Sequence, residues 1–95
     1  MVDQIMTQSW MRQLGIADGA RLAGGVLDEL AEADNSRERI DSVSLHTMAA
    51  IGSLASDYRQ RGVSEPLIET WLISCHEEMI RVFAEFRRVR NAAAA

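Results

Sequence analysis

The chain contains no lysine, and its ten basic residues are all arginine. That shortage excludes a Schiff-base amine and the lysine of a phosphate-binding loop. Its one cysteine, Cys75, has no partner for an internal disulfide. No apolar run approaches the roughly 20 residues that cross a bilayer. The N-terminal stretch "MVDQIMTQSW" lacks the basic start and apolar core of a secretory signal, so the expected compartment is the cytoplasm. Nor is there a basic excess: the formal charge of −4 argues against general nucleic-acid binding, which draws its affinity from phosphate neutralisation.

What is present is typical of a folded domain. Hydrophobic residues make up 47% and charged residues 25% of the 95 positions, which is globular rather than disordered composition. A chain this short makes one domain of marginal stability, and oligomerisation would help it.

The last third is the most regular. From Ser64 as N-cap, with Pro66 in the first turn where no backbone donor is needed, apolar residues recur at Ile68, Leu72, Cys75, Met79, Val82, Phe86 and Val89. This alternation of four and three is a heptad seam, widened by Trp71, Ile80 and Phe83. Arg87, Arg88 and Arg90 suit the negative pole of the helix dipole. A second long helix opens at Asn35, with Glu38 three residues later, and closes at Gly62. Ile40, Val43, Thr47, Ile51, Leu54 and Tyr58 share its inner face, with Leu45, Met48 and Ala55 beside them. The short Gly62–Ser64 link turns the two helices into an antiparallel hairpin over residues 35–91.

Residues 1–34 read as one or two short helices or an arm. Ala20, Ala23, Leu27 and Leu30, with Leu22 and Val26, mark a short helix capped by Asp18, which Gly24-Gly25 either kinks or splits. Before it, Ile5, Met6, Trp10 and Leu14 lie at helical spacing and Gly15 stops the run. Residues 92–95 form a tail. Two hairpin helices of about 26 residues each would run about 39 Å, beyond what the short N-terminal segments cover. The expected fold is therefore all-α: a long antiparallel hairpin with short N-terminal helices, paired with a second copy in a four-helix-bundle-like homodimer.

The run "LISCHEEM" raises the question of chemistry, and spacing answers against it. Cys75 falls on the apolar seam, where a thiol acts as a small hydrophobe. The positions three and four away from His76 are Ile73, Leu72, Met79 and Ile80, all apolar, so no HExxH or ExxH motif forms and neither metal nor cofactor is expected. His46 has no triad partners at usable spacing, and hydrolysis has no support. Arg37, Arg39, Arg59 and Arg61 read as solvated helix ends; Arg81, Arg87, Arg88 and Arg90 lack the interleaved aromatics of a single-strand nucleic-acid groove. The surplus apolar surface of the last helix points instead to a protein-binding or dimer interface. Its candidate residues are Ile68, Trp71, Leu72, Cys75, His76, Met79, Ile80, Val82, Phe83 and Phe86.

The stretch from Ser36 to Arg90 also resembles a known family. A long helix, a turn at "RGVSEP" and a long apolar helix "LIETWLISCHEEMIRVFAEF", with Ile68-Glu69 near its start and His76 at mid-length, are similar to the small helical antiactivators of bacterial quorum sensing, the TraM and QslA type. The N-terminal third has no counterpart in that pattern. The resemblance implies a non-enzymatic cytoplasmic dimer that binds a LuxR-type transcription activator and blocks its dimerisation or DNA binding. A small helical dimeric chaperone or an antitoxin-like partner is the alternative.

Overall fold

The computed structural model describes residues 7–31 and 37–94. Within them every regular element is helical: α1 (Gln8–Ala31), α2 (Arg37–Gln60) and α3 (Glu65–Ala94). Thr7 caps α1, its Oγ1 accepting from the Trp10 amide at 3.2 Å while its carbonyl accepts from Met11 at 2.9 Å. α2 ends where the sequence indicates. Gly62 takes φ 86°, its amide donates to the Arg59 carbonyl at 3.0 Å, and the Val63 amide reaches back to Tyr58 at 3.0 Å. These two bonds make a Schellman closure, and Val63 tucks into the same apolar cluster as Tyr58. The Ser64 carbonyl then accepts from Leu67 and Ile68 and starts α3. Asn35, Ile5 and Met6 lie outside the described residues.

The N-terminal region departs from the sequence expectation. It is one continuous helix of 24 residues, neither stopped at Gly15 nor split at Gly24-Gly25. The reason is packing. Met11, Gly15, Gly19 and Ala23, one turn apart, are the buried face of α1. A side chain at Gly15 would come within 2.5 Å of the Trp71 carbonyl oxygen, and one at Gly19 within 2.5 Å of the Cys75 carbonyl oxygen. The two glycines thus let the backbone of α1 lie almost directly on that of α3, and the contact recovers more than the glycines lose in helix propensity. Gly15 meets Trp71 and Ser74 while Gly19 meets Cys75 and Glu78, so α1 and α3 run parallel.

α2 returns antiparallel to both, alongside the α1–α3 pair, and is held mainly through its C-terminal half. One apolar cluster joins Met11, Ala55, Tyr58, Val63, Ile68 and Trp71; a smaller one joins Ala23, Cys75 and Met79, with Val82 and Phe83 against it. The seam of α3 therefore faces α1 far more than α2, and the main helix pair is the parallel α1–α3 contact rather than the expected α2–α3 hairpin. The N-terminal half of α2 splays outward, leaving Ile40, Leu45 and Met48 exposed. The molecule measures 52 × 26 × 15 Å with a radius of gyration of 15.4 Å, against about 12.4 Å for a compact domain of this length.

Asp18 ties the three helices together. It is the middle of α1, not a helix cap. One carboxylate oxygen accepts from the Trp71 indole nitrogen of α3 at 2.9 Å and from the Tyr58 hydroxyl of α2 at 3.3 Å; the other pairs with Arg21 at 3.0 Å. Tyr58 and Trp71 also meet edge to face, centroids 5.4 Å apart. Trp71 is fully enclosed, so this carboxylate supplies the partner its indole nitrogen would otherwise lack.

Candidate functional site

Of the ten residues the sequence nominates for an interface, Ile68, Trp71, Cys75 and Met79 are buried in the chain's own core. Leu72, Val82 and Phe83 are half-buried against the two clusters. Only His76, Ile80 and Phe86 stand exposed. The anchor role first read for Trp71 is therefore taken up inside the molecule, because α1 covers more of α3 than two short helices would. The free apolar surface has moved outward along α3 and across to α2.

There it forms a groove. Where α2 splays from α3, a cleft of about 310 Å³ opens, with Val43, Thr47, Met48 and Ile51 on the α2 side and Met79, Ile80 and Phe83 on the α3 side. Ser44, His76 and, from α1, Val26 are its other lining residues. Its rim carries large apolar side chains in water: Met48 at 69% and Ile80 at 67% exposure. Isolated exposed apolar residues are ordinary, but a contiguous set around a concave floor marks a binding surface. Met48 and Met79 add adaptable lining, since the unbranched thioether repacks easily. Sequence periodicity missed Met48 and Val43 as site residues because it placed α2 flush against α3.

The opposite side of α3 is different in kind. A depression of about 530 Å³ between α1 and α3 is lined by Arg12, Glu77, Glu78 and Arg81 together with Ile16 and Ile73. Arg81 grips Glu78 through two nitrogens at 2.7 and 2.6 Å, which lowers the Glu78 pKa and raises that of Arg81 through the hydrogen bonds they share.

Burial raises the Cys75 thiol above its ordinary value, with the Asp18 carboxylate adding to the effect, so the sulfur stays protonated at neutral pH. Among the described residues no three His, Cys, Asp or Glu side chains converge as metal ligands, and no helix is long and apolar enough to cross a membrane. His46 lies in a shallow hollow with Arg21 and Glu29, away from His76. At the basic end of α3, Arg88 pairs with Glu85 at 2.6 Å and Arg90 sits 6.0 Å from the Phe86 ring centre, so part of that charge is answered within the helix.

Comparison of the chain with protein-family models, with curated proteins and with solved structures found no match.

Proposed function

We propose that this chain is a non-enzymatic protein-binding module that self-associates and, in its most specific form, captures a LuxR-type transcription regulator and blocks its dimerisation or DNA binding. The observation that carries the binding role is the apolar groove between α2 and α3, rimmed by Met48 and Ile80. A groove of that lining suits the apolar face of an amphipathic helix, a mode that needs no catalytic group. The regulator as partner rests on the resemblance of Ser36 to Arg90, with Ile68, Glu69 and His76, to the TraM and QslA type. Ile68 lies in the core and Glu69 is exposed outside the groove, so of that set His76 is the residue that borders the groove. Self-association rests on the extended shape and the apolar side chains left in water.

The test is release of DNA. Added to a LuxR-type regulator bound to its operator, the chain should displace the DNA in a gel-shift titration. Met48→Arg, on the α2 wall and already exposed, should abolish release with the helical spectrum unchanged. Binding without any effect on the DNA complex, or full activity in Met48→Arg, would reject this function.

A further inference from the structure

The outer ridge of α3 carries a pattern that the groove does not use. Glu69, Ile73, His76, Ile80, Ala84 and Arg87 fall within a narrow sector of the helix at 100° per residue, and all six are exposed. The ridge is acidic at one end, apolar in the middle and basic at the other. Its end charges are unanswered inside the chain. Glu78 pairs with Arg81 and Glu85 with Arg88, whereas among the described residues neither Glu69 nor Arg87 has an ion pair or hydrogen-bond partner on its side chain. The asymmetry extends along the whole helix. Glu65, Glu69, Glu77 and Glu78 occupy the first half without a basic residue, and Arg81, Arg87, Arg88 and Arg90 the second half with Glu85 alone against them.

We infer that the ridge takes a second copy of this chain, docked antiparallel, with Glu69 of each chain opposite Arg87 of the partner subunit. The inference deepens the self-association proposed above by fixing which face pairs and in which direction. A parallel pair would set acid on acid and base on base, while the antiparallel pair matches both ends at once and satisfies a two-fold axis. With Glu69 facing Arg87 of the partner subunit, the axis crosses the helix at the level of Glu78. Ile80 then lies over His76 of the partner subunit, and Ile73 reaches Phe83 and Ala84 of the partner subunit. The shape agrees with the charge. The ridge has the α2–α3 groove on one side, lined by Ile80, and the α1–α3 depression on the other, lined by Ile73, so each ridge has a furrow to enter. Ile80 and His76 belong to the groove as well. A captured helix and the second copy therefore compete, and capture proceeds by subunit exchange.

Charge reversal tests the register. Wild type, Glu69→Arg, Arg87→Glu and the double variant are compared by sedimentation equilibrium across the micromolar range at moderate salt. Both changes lie on exposed side chains, so the monomer fold should persist by circular dichroism. Each single reversal turns two attractions per dimer into two repulsions and should weaken self-association about tenfold or more. The double variant restores opposite charges across the axis and should recover the wild-type constant. A wild-type monomer at every concentration would remove self-association and this docking with it. A dimer that is indifferent to either reversal, or not restored by the double change, would leave self-association standing and overturn the antiparallel docking.

Discussion

One added methyl group at a time should divide the four glycines of α1 into two pairs with opposite effects on stability. At Gly15 an ideal Cβ lies 2.5 Å from the Trp71 carbonyl oxygen and 2.8 Å from the Ser74 Cβ; at Gly19 it lies 2.5 Å from the Cys75 carbonyl oxygen and 3.1 Å from the Glu78 Cβ. The nearest obstacle in each case is backbone, which no rotamer change relieves. The helices must part by roughly 1 Å to reach ordinary carbon–oxygen contact, and overpacking of this kind costs about 1–3 kcal/mol. Alanine returns about 1 kcal/mol in helix propensity, so the net loss at Gly15 or Gly19 should be up to about 2 kcal/mol. At Gly24 and Gly25 an added Cβ meets nothing within 4 Å. There the propensity term stands alone, and each substitution should stabilise by about 0.5–1 kcal/mol. For a domain of this size 1 kcal/mol moves Tm by about 4–8 °C. Thermal and urea unfolding, followed by far-ultraviolet circular dichroism at one fixed protein concentration, would read the difference, since self-association makes Tm depend on concentration. Equal stabilisation by Gly15→Ala and Gly24→Ala would refute the close backbone contact between α1 and α3.

Three further outcomes are expected. Asp18→Ala should destabilise by about 2 kcal/mol or more, because it strands the enclosed Trp71 indole nitrogen and the Tyr58 hydroxyl; an unchanged urea midpoint would count against the network. Stability should fall at alkaline pH. Burial, reinforced by the Asp18 charge, raises both Cys75 and Tyr58 above their ordinary values, so the unfolded chain loses those protons first. The contribution of the thiol is whole below about pH 8.5 and fades as pH climbs through its raised folded value, so Cys75→Ala should flatten the first part of that decline. Arg88→Ala should leave both self-association and capture within about twofold, since Arg88 is spent on an exposed pair with Glu85; a large loss would move the binding surface to the basic end.

The legibility of the chain varied with what each residue was asked to do. Gly62 could be read as a helix end because a left-handed residue after a long amphipathic run is a local device, and its neighbours Tyr58 and Val63 complete it. The start of α3 followed from Ser64 and Pro66 for the same reason, whereas its end runs through the expected tail to Ala94. Gly15 and Gly19 resisted reading because a glycine that breaks a helix and one that admits another backbone look identical in one dimension. Only the four-residue spacing of Met11, Gly15, Gly19 and Ala23 hints at the second role. Asp18 was mistaken for a cap because the donors it accepts from, Tyr58 and Trp71, are 40 and 53 residues away. The candidate surface shifted in consequence. Once α1 covers Trp71, Cys75 and Met79, the open apolar side chains at mid-helix are Ile73 and Ile80, which the heptad seam leaves out, with Met48 across the groove.

The contact of α1 with α3 is made largely of main chain, at Gly15 and Gly19, with Asp18 bracing it to α2. Main chain is the same whatever the sequence, so that half of the molecule has little freedom to drift. Leu45, Met48 and Ile80 stand outside this frame and contribute little to holding it. They form a replaceable veneer on a fixed chassis. A library varied at those three positions should fold across most of its members, and its members should differ in what they bind, which makes this small helical protein a natural starting frame for selecting new helix-capturing surfaces.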